Sequence, residues 1–151
     1  MLELARAEEW EAVRALSVQV HDLHVAWRPD IFCASQAPYP YELYIEDIQK
    51  RMVYVAKISE QIVGYVTFSI AVKNAPGLHP KRQLCLNTIC VDSLFRRQGI
   101  GRTMIQDVRA LAKAFRCHEL ILGVHPENDD AVGFYQKCGF CIRSIHMDMN
   151  A

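Results

Sequence analysis

Residues 83–115 constrain this chain more than any other stretch. Gln83 to Val91 reads as an apolar strand, and Asn87 to Arg102, N-T-I-C-V-D-S-L-F-R-R-Q-G-I-G-R, carries that strand through a glycine loop into a helix. The helix is amphipathic over residues 99–115, with Ile100, Met104, Val108, Leu111 and Phe115 on one face. A strand, a turn of unobstructed N–H groups and a helix N-terminus together make an anion site. Gly99 and Gly101 have no side chain, so the backbone can approach a phosphate, and the helix dipole adds partial positive charge. The ligand this predicts carries a pyrophosphate.

The flanks narrow the choice. A Walker A loop needs Gly-Lys-Ser or Gly-Lys-Thr, which is absent. A dinucleotide fingerprint wants a third glycine near Met104 and an acidic residue some 20 positions on; Glu119 meets the second requirement and Met104 fails the first. A nucleotide-binding α/β domain is therefore the least favoured reading, and it predicts competition by ATP or NAD.

Elsewhere, Leu2 and Leu4 flank Glu3 in a short first strand, and residues 8–26 place apolar side chains at helical spacing until Pro29. Three prolines fall within residues 28–40, and Tyr41 to Lys50 reads as a second helix bearing Glu42, Glu46 and Asp47. This irregular region is where a substrate loop would lie. Met52 to Ile58 and Gln61 to Val72 form a hairpin across Ser59 and Glu60. His118 to Val124 is a strand, and Asn128 to Cys138 is a helix with Asn128 as N-cap, two aspartates in its first turn and Gly139 just past its end. Phe140 to Met149 reads as a closing strand or pair of strands.

Arg96-x-x-Gly99-x-Gly101 after Val91-Asp92, followed by Asn128-x-x-Ala131-x-x-Phe134-Tyr135-x-x-Cys138-Gly139-Phe140, resembles the acetyl-CoA-binding motif and C-terminal signature of the GNAT N-acetyltransferase superfamily. The resemblance covers residues 83–142. It implies a single α/β (α+β) domain over residues 1–151, with a mixed, twisted central sheet and helices on both faces. In that fold the strands before and after the glycine loop splay apart, and the pantetheine arm lies in the gap. Only residues 141–151 follow Gly139-Phe140, where the family usually has two strands, so the last strand is expected to be truncated or completed by a partner subunit.

The resemblance also implies roles. Backbone groups of Arg97, Gln98, Gly99, Ile100, Gly101 and Arg102 would hold the pyrophosphate, with added charge from Arg96, Arg97 and Arg102. Ile89, Cys90 and Val91 match the strand that pairs with the cofactor amides, and Asn128 matches an asparagine that can bind the cofactor arm as well as cap the helix. Tyr135 matches the tyrosine that protonates the departing thiolate, a role suited to a phenol with an ordinary pKa of about 10. A packed aromatic on an apolar helix face would look the same at this spacing. Asn87 occupies the place where many members carry a glutamate base; an amide cannot take a proton but can orient a water. Glu42, Glu46, Asp30 and His125 are the candidates for the base, whereas His24 and His146 read as structural.

The implied function is acetyl transfer from acetyl-CoA to a primary amine of a small molecule or peptide. The rival is an acyl-CoA-binding sensor or partner-binding module with weak catalysis. Residues 1–50 hold nine acidic and four basic side chains, net −5, and the remainder is net +5. That asymmetry suits a cationic acceptor beside an anionic cofactor, and equally two solvated faces of opposite sign. Tyr39, Tyr41 and Tyr44 could wall an acceptor or serve as core. A net charge of zero argues against nucleic acid as the main partner. The N-terminus lacks a signal-peptide pattern, and the longest apolar stretch, Ile62 to Val72, is too short and too interrupted to span a membrane. The expected location is the cytoplasm, with reduced cysteines. Cys138-Gly-Phe-Cys141 has no second cysteine or histidine pair to complete a metal set, so no metal is expected. A homodimer fits the family pattern.

Overall fold

The computed structural model describes residues 1–151. Five strands, β1 (Leu2–Leu4), β2 (Val53–Ile58), β3 (Gln61–Lys73), β4 (Lys81–Val91) and β5 (Glu119–Leu122), form one sheet in sequence order. The first three pairings are antiparallel and β4 pairs with β5 in parallel, which requires the crossover helix α3 (Ile100–Ala114). Helices α1 (Trp10–Trp27) and α2 (Tyr41–Gln49) precede β2, and α4 (Asp129–Lys137) follows β5.

Strand alternation sends side chains to two cores. On one face Tyr54, Ala56, Val66, Phe68, Leu84 and Leu86 pack against the buried stripe of α3, Ile100, Met104, Ile105, Val108 and Ala112. On the other, Val53, Val55, Tyr65 and Cys90 pack against Val13 and Leu16 of α1 and Tyr44 of α2. Full burial of each large apolar side chain contributes roughly 1.5–3 kcal/mol, so the α3 stripe alone secures the crossover. The start of α1 is pinned to the sheet where the Lys57 ammonium lies 2.8 Å from Glu9 and 3.1 Å from Glu3.

The hairpin of β2 and β3 turns at Ser59 and Glu60, both left-handed (φ 48° and 66°), the pattern that matches the twist of two-residue hairpins. The α4 ends are as expected: Asn128 Oδ1 accepts from Ala131 N–H at 3.2 Å, and Gly139 takes φ 100° beyond the last turn.

The closing strand does not form. Ile145, Met147 and Met149 alternate with polar residues as a strand would, yet residues 141–151 make no ladder. Alternation alone does not pair a segment, and the outer edge of β5 stays open. Here β5 pairs through one side with β4, and the tail is tethered by ion pairs, Arg143 to Glu119 at 3.0 Å and Arg28 to Asp148 at 3.0 Å. Ile142, Ile145, Met147 and Met149 are left 68–93% exposed.

Candidate active site

The site is built around an irregularity in β4. Thr67 faces Thr88, but the next residue, Phe68, faces Leu86, so Asn87 is an extra residue bulged out of the β3–β4 ladder. A regular strand would send residues 87 and 88 to opposite faces; after the bulge both line the same cavity. The parallel ladder with β5 ends at Leu86 and Leu122. From Asn87 to Val91 the β4 backbone therefore has β3 on one side and no strand on the other.

That open edge leads to the glycine loop. Gly99, at φ 81°, is the N-cap of α3, a backbone conformation that disfavours any residue with a Cβ. The first helical bond of α3 runs from Thr103 N–H to Gly99 carbonyl at 3.1 Å, so the N–H groups of Ile100, Gly101 and Arg102 have no acceptor within the helix. A Cβ on Gly101 would stand 3.3 Å from the Phe134 ring, which ties close α3–α4 packing to that glycine. Arg96 donates through Nε to the Val91 carbonyl at 3.0 Å and bridges the loop to the strand end. Arg97 is left-handed (φ 64°), and its exposed guanidinium lies 3.7 Å from Asp130. Gln98 and Arg102 are exposed beside them. These donors, the unpaired edge and the dipole of α3 suit a phosphate-bearing cofactor with an amide-containing arm.

Tyr135, on α4, packs edge-on to Phe140 and at a tilt to Phe134, with centroids 5.7 and 5.3 Å away. Burial, reinforced by the nearby Cys138 thiol, raises its phenol to about 12, so the ring stays protonated throughout the neutral range. Ile89 and Val91 lean on the α3 core, and buried Cys90 offers its thiol to the Leu16 carbonyl at 3.5 Å. Their side chains are structural and their backbone is the available part. Burial also raises the Cys90 thiol to about 12, which keeps it unreactive.

On the opposite face a cavity of about 370 Å³ is lined by Ser17, Val20, His21 and His24 of α1, Leu43 and Asp47 of α2, Pro38 and Tyr39 between them, Tyr65 and Thr67 of β3, and Asn87 and Thr88. The Tyr39 hydroxyl donates to Asp47 at 2.5 Å, and burial together with that carboxylate raises the phenol well above its ordinary value.

The structure redistributes the expected acceptor residues. Glu42 and Glu46 point to solvent, Asp30 is held by Arg28 at 2.8 Å, and His125 packs against His24 and Phe32; none of the four lines the cavity. Among the three tyrosines only Tyr39 lines it, because Tyr44 is a core residue donating to the Arg6 carbonyl at 2.6 Å and Tyr41 rests on Trp10. His24, expected to be structural, stands on the cavity wall, while His146 lies in the exposed tail. Asp47 and His21 carried no sequence signal beyond their helical positions.

A model of the acetyltransferase (GNAT) family matches residues 8–140. The chain belongs to the acetyltransferase (GNAT) family. The unpaired β4 edge and the free N–H groups of α3 are in keeping with acetyl-CoA, the cosubstrate of that family. Among the similar solved structures, a mutant of the BH1408 protein from Bacillus halodurans is 25% identical, with a TM-score of 0.94 over 100% of this chain and 99% of that one. The aminoglycoside N-acetyltransferase AAC(6')-Iy, solved with CoA, shares the fold at a TM-score of 0.74 and 17% identity, over 100% of this GNAT chain and 93% of its own. The uncharacterized protein YdhI of Bacillus subtilis is 30% identical over 58% of this chain and 48% of its own length. Human N-alpha-acetyltransferase 30 is 25% identical over 68% of this chain and 27% of its own. The chain thus spans about half the length of YdhI, and less of the human enzyme.

Proposed function

We propose that this GNAT chain transfers an acetyl group from acetyl-CoA to a primary amine of a small molecule or peptide, by direct attack of the amine. The observation that carries this reading is the Asn87 bulge. At one residue, β4 leaves the β5 ladder and turns two polar side chains into the cavity on the other face. A cofactor arm along the open edge and an amine in the cavity then meet at the same point of the strand.

Bound acetyl-CoA supplies an acyl group already activated as a thioester. The chain positions and protonates. Backbone groups of residues 88–91 align the arm, the N–H groups of Ile100, Gly101 and Arg102 hold phosphate, and Asn128 meets the arm at the α4 N-terminus. Tyr135 delivers a proton to the departing sulfur, a task its fully protonated phenol fits. Asn87 orients the amine or a water beside it. Asp47 gives the cavity a negative wall suited to a cationic amine, and about 370 Å³ admits a small molecule or the end of a peptide.

Asn87, which cannot accept a proton, favours a second reading, an acyl-CoA-binding sensor or partner-binding module. Calorimetric titration with acetyl-CoA, with ATP and NAD as controls, followed by a thiol-release assay on an amine panel, separates the two. Selective binding with release for some amine supports the enzyme; selective binding with none supports the sensor; no binding removes both.

The reading puts the enzyme in the cytoplasm, which the six free cysteines support. No helix is long and apolar enough to cross a membrane. It also carries a homodimer, supported by the bare apolar tail; a monomer by sedimentation at micromolar concentration would remove that part.

A further inference from the structure

Three imidazoles gather beside the bulge. His21 and His24 line the cavity from α1, and His125, from the loop after β5, packs edge-on to His24 with ring centroids 5.4 Å apart. Their roles differ. His21 Nε2 lies 2.7 Å from the Cys33 carbonyl; a carbonyl only accepts, so that nitrogen is a committed donor. His24 is held between rings, tilted on Phe32 at 5.2 Å and edge-on to Trp27 at 5.6 Å, so its plane is fixed. Unlike His21, His24 has neither ring nitrogen committed to a hydrogen bond, so its neutral ring keeps a free lone pair.

The groups around His24 favour the neutral ring. From α1 it meets His21 and from the loop after β5 His125, both of its own charge type; β3 and β4 present only uncharged Tyr65, Thr67, Asn87 and Thr88. The carboxylate in reach of the cavity, Asp47 on α2, is engaged by the Tyr39 hydroxyl. Burial, then repulsion from His125, lowers His24 below 6.5, with the Val20 carbonyl opposing and His21 adding to the fall. A base that is free at neutral pH and shares a cavity with the acceptor is what the reaction requires.

We propose that His24 takes the proton of the acceptor amine, directly or through one water held with Asn87, and that Asp47 serves as its charge anchor rather than as the base. The proposal rests on the acetyltransferase reading. An ammonium brings three N–H protons and the product amide keeps one. As the N–C bond forms and the C–S bond breaks, one of the two lost protons ends on sulfur by way of Tyr135, and the other passes to the free nitrogen of His24 and on to solvent.

The test is kcat/KM against pH for the wild type, His24→Gln and Asp47→Asn, with acetyl-CoA affinity measured calorimetrically on each. Expected is a wild-type acid limb with its midpoint below 6.5, a loss of about 10²-fold at neutral pH in His24→Gln together with loss of the limb, and acetyl-CoA affinity within about twofold of wild type. A limb that survives in His24→Gln, or that disappears only in Asp47→Asn, overturns the assignment. Independently of any variant, the imidazole resonance of His24 in the wild type must titrate at the midpoint of the limb, and a mismatch overturns it as well. A wild type that acetylates no amine defeats the acetyltransferase reading itself, a different outcome from an active His24→Gln.

Discussion

The two faces of β4 beyond Leu86 offer different chemistry. Toward β5 and α3 the strand offers backbone: an unpaired edge, a left-handed Gly99 and N–H groups without helical acceptors. Toward α1 and α2 it offers side chains, Asn87 and Thr88, to a cavity that Asp47, His21, His24 and Tyr39 complete. A backbone site depends on strand geometry and tolerates many side chains. A side-chain site changes its ligand with a few substitutions, so acetyl-donor binding and acceptor choice can vary independently on one strand.

Four changes test that division. The largest effect is expected at the proposed proton donor: Tyr135→Phe lowers kcat by about 10²-fold and leaves acetyl-CoA affinity within about twofold, because only the proton is lost. Equal turnover in the two proteins would remove Tyr135 from the chemistry. Next is Gly64→Ala, on β3 opposite Val91. Its Cβ would fall 2.5 Å from the Cys90 carbonyl and 3.2 Å from Met104, so β4 must shift. Acetyl-CoA should bind roughly tenfold more weakly and stability should drop by about 1–3 kcal/mol; a wild-type Kd would show that the edge is not the cofactor's register.

Asp47→Asn acts on the other face. It should raise KM for a cationic amine about fivefold, the equivalent of about 1 kcal/mol, with the acetyl-CoA Kd unchanged. If both constants move together, the two faces are coupled and the division fails. The smallest effect is in stability against pH. The folded His24 pKa lies below 6.5, so above that value the group costs nothing, and as pH falls through it the unfolded chain binds the proton more readily. The Tm should therefore fall slightly between about pH 7 and pH 5.5, and less in His24→Gln; identical slopes would place His24 in a more solvated setting.

The two faces also differ in how far they could be read from the amino-acid order. The glycine loop and the α4 signature are contiguous, and their signals, glycines at a helix start and an asparagine cap, are local rules. The hairpin of β2 and β3 was local in the same way, marked by the two residues between its strands. The cavity was hidden because it is assembled from α1, α2, β3 and β4, and because the bulge that aims Asn87 and Thr88 together is a property of strand pairing rather than of either residue. His24 and Asp47 sit at ordinary helical positions, so only the packed structure separates them from Glu42 and Glu46. The tail erred in the opposite direction: Ile145, Met147 and Met149 have the period of a strand, but the outer edge of β5 stays unpaired and ion pairs hold the tail instead.

The most direct test of the two-faced strand is a titration of the isotopically labelled protein with acetyl-CoA, followed by backbone amide shifts. The changes should concentrate at Thr88 to Val91, Arg97 to Arg102 and Asn128 to Tyr135, while the α1 and α2 residues of the cavity move only when an acceptor amine is added. Changes centred on His21, Tyr39 and Asp47 with acetyl-CoA alone, and a silent glycine loop, would contradict it.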